Sequence, residues 1–227
     1  MKYELILFDA DDTLFDFKKS EDFAIRKLVS TLDSDFDDEF IIGTYKDINT
    51  KIWIEFEEGK ITSDELKIER FNRLIKKLEI KSNAKDLCNM YVQYLGDGSF
   101  LYEESEDLLN YLSKNYKIGI ITNGLADVQH RRIRNSIVGH YFEDVVISDE
   151  IKIAKPNPAI FDHALNNLNH TNKQSVLMIG DSLNSDIKGG INAGIDTCWF
   201  NQHNKVNSSS INPTYEINNL LQLKNIL

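Results

Sequence analysis

The apolar positions of this chain follow two rhythms. In one, short unbroken apolar runs stand alone, at 5–8, 117–122, 144–147, 175–179 and 197–200. Runs this short and unbroken read as strands buried on both faces, the habit of parallel sheets. In the other, apolar residues recur every three or four positions, as on one face of a helix. From Phe100 onward the two alternate: helical patterns at 105–114, 127–138, 158–168 and 185–193 each precede one of the later runs. That alternation predicts a parallel sheet with helices on both faces. Residues 201–212, rich in Asn and Ser, read as a loop, and 217–227 as a terminal helix.

Between the first apolar run and Phe100 only the helical rhythm occurs. After a linker at 14–19, Ser20 marks a helix start and Ala24, Leu28 and Leu32 form a stripe. Ile41, Tyr45, Ile48, Ile52 and Phe56 form a second, ended by Gly59. Thr62 and Glu65 have capping-box spacing ahead of Phe71, Leu74, Ile75 and Leu78. Ser82 opens a fourth pattern through Leu87, Tyr91 and Leu95. Four amphipathic helices joined by short connections predict a small bundle, inserted between the first strand and the rest of the sheet. The expected fold is thus α/β: a Rossmann-like, doubly wound parallel core, 1–16 with 97–227, carrying a helical domain over 17–96.

With 227 residues, 41% of them hydrophobic, the chain can build such a core. Its formal net charge of −10 speaks against nucleic-acid polymers and anionic membranes, although a bound divalent cation would still admit a small phosphorylated ligand. Cys88 and Cys198 stand far apart without a partner motif, which fits a reducing cytoplasm better than a disulfide framework or a cysteine zinc site. No apolar run reaches membrane-spanning length and no leader pattern opens the sequence. The expectation is a cytoplasmic protein, a monomer or small homo-oligomer.

Chemistry-bearing residues sit where the predicted strands end. The first run leads into Asp9, Asp11 and Asp12. In an open α/β sheet ligands bind at the carboxyl ends of strands, and two carboxylates two residues apart on extended backbone share a side. Such a pair can hold a cation and attack an electrophile; a helix cap would use the same residue types. The second strand ends in Thr122-Asn123-Gly124, which is either an oxyanion-binding turn or a plain turn. Lys155 lies beside Pro156 and close to Pro158, which stiffen the segment that aims it. A fourth strand ends Gly180-Asp181, with Asp186 following. Asp9, Asp181 and a backbone carbonyl are hard oxygen ligands of the kind Mg²⁺ takes. Charge neutralisation and in-line positioning are what phosphoryl transfer needs.

Asp9-Ala10-Asp11-Asp12-Thr13, Thr122-Asn123, Lys155-Pro156 and Gly180-Asp181 to Asp186 resemble motifs I to IV of the haloacid dehalogenase-like (HAD) hydrolase superfamily. The helical insertion resembles the C1 cap of that superfamily. The stretches 9–15, 127–133 and 185–199 are similar to the YjjG/YfnB group, which contains 5'-nucleotidases acting on nucleoside monophosphates. The superfamily pattern often has glycine where this chain has Asp12; the group tolerates an acidic residue there. The resemblance implies a Mg²⁺-dependent phosphatase. Asp9 would be the nucleophile that forms an aspartyl-phosphate and Asp11 the general acid/base. Thr122, Asn123 and Lys155 would bind phosphate. Asp9, the backbone carbonyl of Asp11 and Asp181 would hold Mg²⁺, with Asp186 orienting metal waters or Lys155. The family's sheet order would set the motif IV strand beside the motif I strand.

The cap would recognise the leaving group of a small phosphorylated metabolite, a nucleoside monophosphate in the first place. Phe17, Trp53 and Phe56 offer rings for a base, though aromatics on helical stripes commonly serve a core. His130, His140, His163, His170 and His203 show no ligand spacing. A sugar-phosphate phosphatase or phosphomutase would share the same core. A phospho-accepting signalling module would share its acidic cluster, hydroxyl and lysine but not a large insertion after the first strand.

Overall fold

The computed structural model describes residues 2–227, without the side chain of residue 57. The chain opens with β1 (Leu5–Phe8). Four helices follow: α1 (Phe17–Val29), α2 (Asp38–Glu57), α3 (Ser63–Leu78) and α4 (Ala84–Asp97). Then come α5 (Ser105–Leu112), β2 (Lys117–Thr122), α6 (Ala126–Arg134), β3 (Asp144–Ile147), a one-turn α7 (Ser148–Ile151), α8 (Pro158–Asn167) and β4 (Val176–Gly180). A π-helical turn at Leu183–Ile187, α9 (Lys188–Ala193), β5 (Asp196–Phe200), β6 (Tyr215–Ile217) and a 3₁₀ turn at Leu220–Asn225 complete the described chain. No helix among the described residues is long and apolar enough to cross a membrane.

The six strands form one parallel sheet in the order β3-β2-β1-β4-β5-β6. Because β1 has no polar residue, both of its faces can be covered, and they are. Ile6 and Phe8 join Leu108, Leu109, Leu112, Ile118 and Ile120 on one face. Leu5 and Leu7 join Phe161, Ala164, Leu165 and Met178 on the other. The motif IV strand does lie beside β1, with Phe8 opposite Ile179 and, on the other edge, opposite Ile120. The strand order therefore turns back at β1, and the crevice beyond its carboxyl end is where such sheets bind ligands.

The chain divides into two compact units, Met1–Phe17 with Ser99–Leu227, and Lys18–Gly98. The Phe17 ring lies 5.4 Å from the Arg132 guanidinium. The strands bracketing the insertion are clasped by a bridge between Phe15 and Leu101 and by the Asp16 N–H donating to the Phe100 carbonyl at 3.0 Å.

Within the helical unit, the rings of Tyr45, Phe71 and Tyr91 meet with centroids 5.4–5.7 Å apart and tie α2, α3 and α4 together. Thr62 and Glu65 close the capping box that their spacing predicted. Arg73 reaches from α3 to both carboxylate oxygens of Glu55 on α2, at 2.7 and 2.8 Å.

Three expectations change at the level of elements. The segment 14–19 is not all linker: α1 starts at Phe17, and Ser20 is buried inside it. The pattern at 185–193 is a π turn followed by a short α-helix. The terminal helix expected over 217–227 is instead the end of β6 followed by a 3₁₀ turn. Tyr215-Glu216-Ile217 is too short for periodicity to reveal and becomes a strand only by pairing with β5.

Candidate active site

The carboxyl ends of β1, β2 and β4 deliver Asp9, Thr122 and Asp181 side by side. Asp9 leaves β1 still paired, its N–H donating to the Ile179 carbonyl at 2.8 Å. Asp12, three residues on, adopts φ 57°, the left-handed region where a side chain other than glycine is uncommon and Asp is among the better tolerated. That conformation accounts both for glycine in the wider pattern and for the acid here.

Lys155 is the hub of the cluster. Its buried ammonium donates to Asp9 Oδ1 at 2.5 Å and to the Ile121 carbonyl at 2.6 Å, and it pairs with Asp186 Oδ1 at 2.8 Å. Burial opposes its charge, but Asp186 and Asp9 outweigh burial and hold the ammonium above its ordinary pKa. Asn123 is placed differently from the expectation of a phosphate-binding side chain. Its amide donates to the Lys155 carbonyl at 2.9 Å and accepts the Lys155 N–H at 2.8 Å. The side chain thus holds the lysine segment in place, and what Asn123 can offer an anion is its backbone N–H. The Lys155–Pro156 peptide is cis.

Asp9, Asp181 and Asp186 each present a carboxylate oxygen, and these atoms lie within 4.8 Å of one another. Burial pushes Asp9 up to about 6, against the pull of Lys155. Asp181 is pushed up to about 8, first by burial and then by the charges of Asp9, Asp186 and Asp12. Converging hard oxygen donors that repel one another are a fitting cradle for a divalent cation. Asp181 is steadied by the Trp199 indole, which donates to its carbonyl at 2.8 Å. Asp186 rides on the π turn, accepting the Ser182 N–H at 2.9 Å and contacting Lys155, while also standing inside the carboxylate group. Gly180 has to be glycine for this packing, because a Cβ there would run into the Asp186 carboxyl group.

Asp11 lies at the edge of the cluster, and sequence reading missed what holds it. Gln129 on α6 donates to Asp11 Oδ2 at 2.8 Å and to the Thr122 hydroxyl at 2.8 Å. Arg132, fully buried one turn further along α6, forms an ion pair with Asp11 Oδ1. Burial lowers the Arg132 pKa to about 10, partly offset by Asp9. The signal in the sequence was a Gln and an Arg three apart on a helix that follows Thr122-Asn123-Gly124 directly. Gly124 belongs to the same arrangement, since a Cβ there would collide with the Gln129 side chain.

Of the aromatic candidates, Trp53 and Phe56 pack edge to face 5.7 Å apart and are half-buried, and Phe17 covers Arg132. His130 contacts Glu150, and His170 contacts Ser175 Oγ at 3.0 Å.

Comparison with known proteins supplies the kinship. Residues 3–194 match the model of the haloacid dehalogenase-like hydrolases. The chain is 36% identical over its full length to pyrimidine 5'-nucleotidase YjjG of Escherichia coli (strain K12), covering 99% of that protein. It is 35% identical to pyrimidine 5'-nucleotidase PynA of Streptococcus pneumoniae (strain ATCC BAA-255 / R6), over 96% of this chain and 92% of that one. Among solved structures, HAD-hydrolase YfnB from Bacillus subtilis, bound to magnesium, superposes with a TM-score of 0.91 at 36% identity, covering 100% of this chain and 99% of YfnB. With the strand order, the clustered acids and the buried lysine, this places the chain in the family of haloacid dehalogenase-like hydrolases.

Proposed function

We propose that this protein is a Mg²⁺-dependent phosphatase that hydrolyses small phosphomonoesters through an aspartyl-phosphate, with nucleoside 5'-monophosphates as its substrate class. The observation that carries the reading is the seating of Asp9. It is a buried carboxylate with one oxygen on the Lys155 ammonium, beside two further acids suited to a hard cation. The relatives named as pyrimidine 5'-nucleotidases support the substrate class.

In this reading Asp9 attacks phosphorus while the bond to the leaving oxygen breaks, and Asp11 gives that oxygen its proton. Water then attacks the phosphorylated Asp9 and loses a proton to Asp11; the bond between phosphorus and Asp9 breaks, and free carboxylate and inorganic phosphate remain. Lys155 and the Thr122 hydroxyl bind phosphoryl oxygens. Asp9, the carbonyl of Asp11 and Asp181 would hold Mg²⁺, with Asp186 next to them. Bound there, the ion neutralises charge that builds on the phosphoryl oxygens.

The test is a phosphate-release screen over nucleoside monophosphates and sugar phosphates, with Mg²⁺ or with excess chelator. Turnover of pyrimidine nucleoside monophosphates that requires Mg²⁺ is the expected result. Full activity in chelator would remove the metal from the mechanism. A profile led by sugar phosphates would move the substrate class.

A further inference from the structure

We infer that Gln129 and Arg132 are positioning residues for the proposed reaction: together they anchor both oxygens of Asp11, and Gln129 fixes the donor direction of the Thr122 hydroxyl. The inference rests on the reading of Asp11 as the general acid/base.

The two side chains stand three apart on α6, so they project from one face of the helix. Both are buried, Arg132 with no exposed surface at all. The Arg132 guanidinium lies against the rings of Phe15 and Phe17, at 5.5 and 5.4 Å, and meets Asp11 Oδ1 in a charge contact rather than an aligned hydrogen bond. Its Nε and Nη1 have no hydrogen-bond partner among the described residues. A buried guanidinium with unpaired donors is costly, and packing alone would be served better by an apolar side chain. What the arginine alone supplies is a cation fixed against the Asp11 carboxylate.

Gln129 works through its amide nitrogen. A carboxylate only accepts hydrogen bonds, so the nitrogen and not the oxygen faces Asp11. The second amide hydrogen goes to Thr122 Oγ1, which also accepts the Gly124 N–H at 3.1 Å. A hydroxyl has two acceptor positions and one proton. With both acceptor positions filled from the protein, Thr122 can meet a ligand only as a donor, which suits an acceptor such as a phosphoryl oxygen. Asp11, anchored at Oδ1 and Oδ2, cannot turn about its last torsion. Each anchored oxygen keeps a second lone-pair position through which a proton can pass. One amide therefore couples the group that moves the proton to the group that binds the phosphoryl oxygens.

The experiment compares uridine 5'-monophosphate, whose alkoxide leaving group needs a proton, with nitrophenyl phosphate, whose leaving group does not. It uses the full-length Mg²⁺-loaded enzyme. Arg132→Met should lower kcat for the nucleotide about 10²-fold, the scale of an ångström-sized misplacement, and for nitrophenyl phosphate less than about 10-fold. Arg132→Lys, which retains the charge, should recover part of the loss. Introduced into Asp11→Asn, Arg132→Met should add less than about threefold, because coupled residues are not additive. Gln129→Met, of nearly the same length, should repeat the leaving-group selectivity and also weaken inhibition by inorganic phosphate, since Thr122 regains the freedom to rotate. Should Arg132→Met fail to fold, Gln129→Met carries the same test. Equal losses on both substrates, or full additivity with Asp11→Asn, would overturn the inference. If instead Asp11→Asn itself shows no leaving-group dependence, the reading of Asp11 fails, and the inference with it.

Discussion

Each unit buries an arginine against aromatic rings, and the two arginines answer to different partners. Arg70, in the helical unit, lies 4.8 Å from the Tyr91 ring and 5.4 Å from that of Phe71. It donates to Asn49 Oδ1 at 3.3 Å and to the Lys67 carbonyl at 3.3 Å. Its hydrogen bonds go to neutral acceptors, and the carboxylate of Glu21 is linked to it through Asn49, whose amide donates to Glu21 at 2.7 Å. Arg132, in the sheet unit, faces the Asp11 carboxylate directly, at the end of a strand where acids already crowd one another. Around Arg70 the charge is spread over a packed bundle; around Arg132 it is aimed. Burial by itself is therefore a poor guide to function. What separates the cases is whether the buried charge meets a group that a reaction would use.

The sharpest way to break this contrast is at Asp9. Asp9→Asn removes the proposed nucleophile, so rapid quench with labelled substrate should find no phosphoenzyme, and turnover should fall by about 10⁴-fold or more. The thermal midpoint should move only a few degrees, because Lys155 keeps Asp186 as a partner. A collapse in stability would instead class the sheet-end acids with Arg70, as structure.

The converse change lies in the helical unit. Leu74 is fully buried there, and Leu74→Ala should cost about 2–5 kcal/mol. Urea unfolding followed by two probes would measure it, since two units can melt separately. Turnover of nitrophenyl phosphate per folded molecule should change less than about twofold, because the residues assigned to phosphoryl transfer all lie in the sheet unit. A large loss there would show that the bundle takes part in the chemistry itself.

A smaller effect is written into the pH dependence. Asp9 and Asp181 have folded pKa values raised from 3.8 to about 6 and about 8. The folded protein then binds more protons than the unfolded chain between about pH 4 and 8, so stability falls as pH rises through that window. In chelator, the melting midpoint should drop between pH 5.5 and 8. Mg²⁺ competes with those protons, so its stabilising shift should be larger at pH 8 than at pH 5.5. A midpoint in chelator that rises over this range would mean that the acids do not crowd one another as the distances imply.

Much of this was legible in the residue pattern, and the exceptions share a cause. Strands such as Asp144–Ile147 stand out because a double-sided burial demands unbroken apolar runs, and the acids beyond β1 and β4 stand out because charge rarely follows such runs without a purpose. The sixth strand did not stand out, since three residues at a sheet edge owe their conformation to the partner strand. An amide at a strand end suits an oxyanion, which is why Asn123 reads as a phosphate ligand; that its side chain is taken up with the Lys155 backbone is a tertiary fact. Gln129 and Arg132 escaped for the opposite reason. On a helix they look like ordinary polar positions, and only the packing of α6 over the end of β2 reveals that they are buried and what they meet.

The place of β1 in the sheet also has a history during synthesis. Leu5–Phe8 leaves the ribosome well before its partners, which are Lys117–Ile120 on one side and Val176–Ile179 on the other. Until those segments emerge, a wholly apolar strand waits with both edges unpaired, a state open to wrong pairing between nascent chains. The helices from Lys18 to Gly98 build on near-neighbour contacts and can collapse early. Once they do, the clasp between Phe15 and Leu101 shortens the loop that must close to bring β2 alongside β1. The strand that ends in Asp9 is therefore paired on both edges only when β4 arrives.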